Sequence, residues 1–179
     1  DVTDPIQWAD YETALSAHQS GRYRSNGISV LVHPDSGLVG LDLDHCIVDG
    51  KFSEEAQEIV DGVCSYSEIS PSGEGVRIFL YGKLPDKGRR RGNFECYDKG
   101  RHLTVTGNHI RETPKDINRD QEVIDWFHQK FIAGPEVENS TQIKEVPTAD
   151  LTGMIQTEPA SDALKLKGDE IIQQILSSK

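Results

Sequence analysis

In Val39-Gly40-Leu41-Asp42-Leu43-Asp44, apolar residues alternate with glycine and aspartate. A period of two is typical of a β-strand that buries one face. The apolar residues would then face a core, and both carboxylates would project from the opposite face. Two residues of a strand span about 6–7 Å, a spacing that allows Asp42 and Asp44 to bind one divalent cation or a pair. A solvated strand end with two incidental acids is the alternative.

Length and composition favour one globular domain with an appendage. The chain has 179 residues, of which 35% are hydrophobic and 27% are charged, as in globular proteins that bury a substantial core. No apolar run approaches the roughly 20 residues of a membrane span, and no signal peptide opens the chain. Three cysteines without C-x-x-C spacing indicate neither a disulfide framework nor a zinc site. We therefore expect a cytoplasmic protein without a membrane partner.

The charge is distributed unevenly along the chain. The formal net charge is −11, yet residues 75–111 carry nine basic and three acidic side chains, a net of +6. A polyanion bound at a carboxylate–metal site needs cations of this kind nearby. A solvated basic loop is the alternative.

The N-terminal part predicts a helix, a hairpin and a second helix. Residues 5–18 have helical spacing, with Asp4 as the cap. Residues 28–32 and 39–44 are β-rich and flank a dense turn signal, which predicts a hairpin presenting both aspartates near its end. Ser53 begins the second helix.

Residues 67–81 predict two strands joined by the loop Ser70-Pro71-Ser72-Gly73-Glu74-Gly75. Small residues and glycines expose successive backbone N–H groups, which an anion nest uses to hold phosphate. Arg77 would point from the polar face of the second strand toward the same region. A plain hairpin turn is the alternative.

Two further strands and a helix follow. Glu95 lies on the polar face of a short strand at residues 93–97, where a third carboxylate would complete the metal site. In the strand at 102–107, Leu103 and Val105 are candidate core residues, whereas the polar residues at 102, 104 and 106 would face the site. Residues 117–132 predict a packing helix, residues 135–160 a linker, and residues 161–179 the start of a C-terminal helical segment.

The order of these motifs resembles the primase–polymerase (prim–pol) domains of the archaeo-eukaryotic primase superfamily, of the type found in phages, plasmids and other mobile elements. The resemblance covers about residues 3–133. It is carried by Gly40–Cys46, by Tyr66–Phe79, and by Phe94–Asp98 leading to Arg101–Gly107. It implies an α+β (α/β) fold with a mixed, largely antiparallel central sheet flanked by helices, an RRM-like catalytic core. Residues 1–134 would be the catalytic domain, without the N-terminal segment usual in the family.

The resemblance also implies an activity and a set of site residues. The activity is template-directed nucleotidyl transfer from a dNTP or NTP on a single-stranded DNA template, with a helicase or helical domain expected in the full-length protein. The implied ligands of Mg²⁺ or Mn²⁺, in a two-metal site, are Asp42, Asp44 and Glu95. The implied nucleotide-binding residues are Ser70, Ser72, Gly73, Gly75, Arg77, His102 and Thr104. The implied DNA- or phosphate-binding residues are Lys83, Arg89, Arg90 and Arg91.

Two positions depart from the family pattern. Arg77 stands where the family usually has a histidine, and His102 stands where relatives often have an aromatic residue near the incoming sugar. Two other functions therefore stay open: a nucleotide- or DNA-binding module of the same fold without the chemistry, and a metal-dependent phosphodiesterase. The sequence has no G-x-x-x-x-G-K-[ST] motif, which argues against a P-loop ATPase.

Overall fold

The structure, a computed structural model, describes residues 4, 6, 8–22 and 27–134, and every structural statement below refers to these residues. The predicted linker at 135–160 and the predicted C-terminal helical segment at 161–179 lie outside them.

Ten strands and three α-helices make up the described part of the chain. The strands are β1 (Ile28–Val32), β2 (Leu38–Leu43), β3 (Ile47–Val48), β4 (Lys51–Phe52), β5 (Ser67–Ile69), β6 (Val76–Tyr81), β7 (Arg90–Arg91), β8 (Phe94–Tyr97), β9 (Arg101–Val105) and β10 (Asn118–Arg119). The helices are α1 (Tyr11–Gln19), α2 (Glu54–Val63) and α3 (Gln121–Phe127), and α3 continues into a π-helical turn at His128–Ala133.

The central sheet has the order β10–β6–β2–β8–β7, and β5 pairs with β6 on the same edge as β10. All its pairings are antiparallel except that of β10 with β6. The prediction of an α+β fold with a mixed, largely antiparallel sheet is therefore confirmed.

The strand β2 lies at the centre of this sheet, and all six of its residues are buried. The predicted hairpin of residues 28–44 is wrong, because β1 pairs with β9 whereas β2 pairs with β6 and β8. The turn signal at 33–37 reverses the chain without joining the two strands in one sheet. Strand partners depend on side-chain packing with distant segments, which local alternation does not encode.

One face of the central sheet packs against helices α2 and α3. Val39, Leu41 and Leu43 of β2 point into this layer, where they meet Ile59 of α2 and Ile124 of α3. The predicted start of α2 is confirmed, since the Ser53 hydroxyl accepts a hydrogen bond from the Ala56 N–H at 3.2 Å. This layer forms the larger of two hydrophobic clusters.

The other face of the sheet is covered by the two-stranded ribbon β1–β9 and by α1. Leu103 and Val105 of β9 are buried in this second cluster, as predicted, together with Phe79 of β6. Gly40 allows the close approach, because a Cβ at this position would lie 2.0 Å from Leu103 Cδ1. The strand β2 is therefore covered on both faces, by the helices on one and by the ribbon on the other. The prediction that this strand buries only one face is wrong.

Two predicted helix boundaries are also wrong. The first helix begins at Tyr11, not at residue 5, because the Asp10 carboxylate caps it by accepting the Thr13 N–H at 2.8 Å. The predicted helix at 117–132 instead starts after β10, where the Asp120 carboxylate accepts the Val123 N–H at 3.2 Å. In both places a capping aspartate within the predicted helix marks its true start.

Candidate active site

Five charged residues form a row across the central sheet, one from each of five adjacent strands. The registers pair Glu68 with Arg77, Arg77 with Asp42, Asp42 with Glu95, and Glu95 with Arg90. Residues directly opposite each other in an antiparallel pair point to the same face. The row therefore lies on the ribbon side of the sheet, near the end of β2, and we call it the charge row.

Asp42 occupies the middle of the charge row and is 6% exposed. Arg77 Nε donates to Asp42 Oδ1 at 3.3 Å, and Arg77 Nη1 donates to the main-chain oxygen of Thr104 at 2.7 Å. Burial raises the pKa of Asp42, Arg77 opposes this effect, and the negative charges of Asp44 and Glu95 add to it. The three carboxylates thus repel one another electrostatically, and a cation among them would relieve that repulsion.

Glu95 lies next to Asp42 in register but is held by other side chains. Arg90 Nη1 is 2.7 Å from Glu95 Oε1, and Arg101 Nη2 is 3.3 Å from Glu95 Oε2. The Tyr97 hydroxyl donates to Glu95 Oε2 at 2.5 Å, and burial is the main cause that raises the pKa of Tyr97 to about 12. Glu95 therefore orients two arginines whose side chains are largely accessible, at 62% for Arg90 and 47% for Arg101.

Asp44 follows β2 at the rim of an open cleft of about 710 Å³. The cleft is also lined by Phe94 and Phe131, by Arg91 and by Lys130, which forms an ion pair with Glu58. The main-chain N–H of Asp44 donates to the Asn93 oxygen at 2.8 Å, which fixes the end of β2 beside the β7–β8 turn. A nucleotide-sized group in this cleft would reach Asp44 from the helix side.

The donor chemistry of these carboxylates suits a hard divalent cation such as Mg²⁺ or Mn²⁺, which prefers carboxylate oxygens. Nevertheless, no three His, Cys, Asp or Glu side chains within the described ranges are grouped so as to hold a metal ion. Glu95 in particular is bound by other side chains, since its carboxylate oxygens contact Arg90, Arg101 and Tyr97. The metal-ligand role of Asp42, Asp44 and Glu95 stays a prediction.

The loop at residues 70–75 is a compact turn at the end of β5 and β6. Three of its main-chain N–H groups donate hydrogen bonds within the turn. Ser70 N–H donates to Gly75 O, Gly73 N–H to Ser70 O, and Glu74 N–H to Ser72 Oγ. These three N–H groups thus have the hydrogen bonds of a hairpin turn, the alternative to a phosphate-binding loop. Ser70 Oγ and Ser72 Oγ lie 3.0 Å apart, so the turn presents a pair of hydroxyls beside β2. A Cβ on residue 75 would lie 2.7 Å from Leu43 O, so only glycine fits at this position without a shift of the backbone.

His102 and Thr104 alternate with Leu103, whose side chain points toward the sheet. Strand alternation therefore places both side chains on the outer face of the ribbon, where Thr104 Oγ1 is 3.4 Å from Ser29 Oγ. The expected role of His102 and Thr104 at the site stays a prediction, because alternation puts their side chains on the side of the ribbon away from the charge row. It is the main-chain oxygen of Thr104 that reaches the charge row, through Arg77.

The predicted basic residues divide into two groups. Lys83 follows the end of β6 that is distant from Arg77, and Arg89 donates to Pro85 O and Gly88 O and pairs with Asp98 at 3.3 Å. Lys83 is therefore distant from the carboxylates of the charge row, and Arg89 stabilises its own loop. Arg90 and Arg91 lie on the edge strand β7 and are exposed. Arg90 and Arg101 bind Glu95, whereas Arg91 lines the cleft beside Asp44. These three exposed arginines border the site, and we call them the arginine edge.

Sequence reasoning missed two groups that shape this site. Glu68 is fully buried at one end of the charge row. The sequence could have indicated it, because a charged residue within a short β-rich run is unusual. Arg101 and Tyr97 bind the Glu95 carboxylate. Strand alternation puts residues 95 and 97 on the same face, so the sequence could have indicated the contact with Tyr97.

Fold and site together define an α+β domain whose central sheet carries two adjacent buried acids, Asp42 and Glu95, each next to an arginine. The chain is 33% identical over 178 residues to the DNA primase-polymerase of Nitratiruptor phage NrS-1, and the alignment covers 93% of this chain and 23% of that protein. No family model matches the chain. The chain belongs to the primase–polymerase domains of the phage type, as its motif order predicted, and it spans less than a quarter of that relative's length.

None of the helices in the described ranges is both long and apolar enough to cross a membrane.

Proposed function

We propose that this domain transfers nucleotides from a dNTP or NTP to a 3′-hydroxyl or an initiating nucleotide on a single-stranded DNA template. The observation that carries the proposal is the charge row. In this row Asp42 and Glu95 lie side by side, with Arg77 next to Asp42 and Arg90 next to Glu95, in a chain related to a DNA primase-polymerase. Carboxylates next to cations suit a reaction in which a metal–triphosphate must be held while negative charge builds up on the leaving group.

Asp42 and Asp44 would hold Mg²⁺ or Mn²⁺, with Glu95 as the third carboxylate from the neighbouring strand. Two such ions lower the pKa of an attacking hydroxyl and stabilise a leaving pyrophosphate. The mutual repulsion that helps to raise the pKa of Asp42 supports this assignment, because it marks a place where positive charge is stabilising.

The nucleotide triphosphate would lie between the turn at residues 70–75 and the arginine edge. Ser70, Ser72 and the backbone at Gly73 and Gly75 would contact its phosphates. Arg77 would supply positive charge from within the sheet rather than a direct fork, since its guanidinium is already bound to Asp42 and Thr104. His102 and Thr104 stay candidates for contacts at the outer face of the ribbon.

The template strand would follow the arginine edge, whose exposed guanidinium groups suit backbone phosphates. The cleft beside Asp44 would give the strand that carries the 3′-hydroxyl access to Asp44. A helicase or helical domain in the full-length protein is a further expectation for the part of the protein beyond this chain.

A second function deserves a test because Glu95 is held by two arginines and a tyrosine. If these contacts persist with nucleotide bound, the domain would bind nucleotide or DNA without catalysing transfer. The two functions share the phosphate contacts and differ in their need for a divalent cation at Asp42 and Asp44.

Calorimetric titration of a deoxynucleoside triphosphate in the presence of Mn²⁺ tests the proposal. Wild-type binding is expected to require Mn²⁺ and to be lost in the double variant Asp42→Ala/Asp44→Ala. Glu122→Gln, an exposed change on α3, serves as the matched control and should bind like wild type. Binding that is equally strong in the double variant, or without Mn²⁺, supports the binding module and contradicts the proposal.

The two arginine groups predict different losses in single-stranded DNA binding. Arg91→Ala should weaken binding and reduce the slope of log affinity against log salt by about 0.7, since one phosphate contact is lost. Arg89→Ala should leave that slope unchanged but lower the free energy of unfolding by about 1–3 kcal/mol, because Asp98 loses its partner. Fluorescence anisotropy across a salt series and urea unfolding measure both. Equal salt slopes for Arg91→Ala and wild type would remove Arg91 from the DNA interface.

A further inference from the structure

Glu68 is an acid that the proposed chemistry does not use. It lies on β5 at the end of the charge row, 0% exposed, and is directly opposite Arg77 in register. No ligand can reach a side chain that is enclosed in this way. A fully buried acid is costly to keep in a fold unless its charge or its hydrogen bonds serve a purpose.

The carboxylate of Glu68 accepts three hydrogen bonds. Thr106 N–H donates to Oε1 at 2.9 Å, Gly107 N–H donates to Oε2 at 3.0 Å, and the Tyr66 hydroxyl donates to Oε2 at 3.0 Å. Glu68 also forms a β-bridge with His109, which stacks on Tyr66. Burial raises the pKa of Glu68 to about 7, while these donors and Arg77 act in the opposite direction. Three donors and no acceptor around the two oxygens suit the ionised form.

Arg77 therefore lies between two carboxylates. Asp42 binds it on one side at 3.3 Å, and Glu68 faces it across β5–β6. A cation bound at Asp42 would compete with the guanidinium for the same oxygen. Without a second negative charge, the largely enclosed Arg77 side chain would then have an uncompensated charge, an unfavourable state. Glu68 is the acid that stays available to Arg77, because it is shielded from every ligand.

Arg77 and Glu68 also hold one short segment together. Arg77 binds the oxygen of Thr104, and Glu68 binds the N–H groups of Thr106 and Gly107. These contacts fasten the end of β9 to the central sheet next to Asp42. The segment from Thr104 to Gly107 is thus the point at which the ribbon is fixed above the site.

We propose that Glu68 is a positioning residue that keeps Arg77 compensated when Asp42 binds a divalent cation and that fixes the Thr104–Gly107 segment above the site. This inference rests on the proposed function. It predicts that loss of the Glu68 charge leaves Asp42 as the single acid next to Arg77 and so weakens cation binding.

The test is Mn²⁺ titration at pH 8 with a deoxynucleoside triphosphate present, together with amide hydrogen exchange of the metal-free protein. In Glu68→Gln the Mn²⁺ dissociation constant should rise about tenfold, and the Thr106 and Gly107 amides should exchange faster. In the Arg77→Met background the same Glu68→Gln change should alter Mn²⁺ affinity less than about twofold, because the competing guanidinium is gone. Equal effects in both backgrounds would overturn the role through Arg77.

Tyr66→Phe is the matched control within the same buried cluster, because it removes one hydrogen bond from Glu68 and leaves its charge. It should keep the wild-type Mn²⁺ affinity, and a tenfold loss there would reduce Glu68 to a folding role. Glu68→Asp answers the question if Glu68→Gln does not fold: it retains the charge, so Mn²⁺ affinity should stay within about threefold of wild type, and a larger loss contradicts the proposal. Absence of Mn²⁺-dependent binding in the wild-type protein would instead refute the proposed function.

Discussion

Replacement of Asp42 by Asn is expected to lower the rate of nucleotide incorporation by at least about a thousandfold. The change keeps the size of the side chain and removes one negative charge from the centre of the charge row, where Asp44 and Glu95 are its electrostatic neighbours. A divalent cation bound by Asp42 and Asp44 would then lose one of its carboxylate ligands. Arg77 retains Glu68 as its acidic neighbour, so the fold should tolerate the substitution.

Primer extension on a single-stranded template with Mn²⁺, analysed for kcat and KM, measures this effect. Single-stranded DNA affinity should stay near the wild-type value, because the arginine edge is unchanged. Glu122→Gln removes a carboxylate from an exposed position on α3 and should leave both quantities unaltered. An Asp42→Asn rate within tenfold of wild type would mean that the carboxylates of the charge row are structural and that the chemistry lies elsewhere.

Replacement of Gly40 by Val should lower the free energy of unfolding by about 1–3 kcal/mol. A Cβ at this position would lie 2.0 Å from Leu103 Cδ1, so the added side chain must displace the buried Leu103 side chain or the ribbon that carries it. Valine is a better strand former than glycine by up to about 1 kcal/mol, and strand propensity alone therefore predicts the opposite sign. Nucleotide binding should weaken as well, because the ribbon carries the Thr104 oxygen that binds Arg77.

Urea unfolding of a double-mutant cycle with Leu103→Ala checks the cause. Leu103→Ala alone should cost about 2–5 kcal/mol as a buried large-to-small change. If the two side chains compete for one space, the double variant should be more stable than the sum of the single losses predicts. Additive losses would show that Gly40 is needed for a reason other than contact with Leu103.

Several parts of the site were predictable from sequence because they depend on local patterns. The alternation at residues 39–44 identified β2 and its acids. The serine-glycine loop identified the turn between β5 and β6, and the polar face of residues 93–97 identified Glu95. The order of these motifs also predicted the family, which the relationship to a phage DNA primase-polymerase confirms.

Other parts escaped prediction because they depend on contacts between distant segments. The partner of β1 is β9, some 70 residues away, and no local signal distinguishes it from the nearby β2. Arg89 looked like a member of the basic patch, but the main-chain oxygens of its own loop and Asp98 engage it. Glu68 looked like an ordinary strand residue, because its value as an acid depends on the amides of Thr106 and Gly107.

The amino-acid sequence therefore showed which charged residues are candidates for the site: two acids at the end of a strand, a third acid on a later strand, and a cluster of arginines. Side-chain type and strand period are local properties that the chain carries without its fold. Only the tertiary structure decided which charges meet, since the registers of five strands align Glu68, Arg77, Asp42, Glu95 and Arg90 in one row. Register follows from burying both faces of β2, which is a property of the whole packed domain.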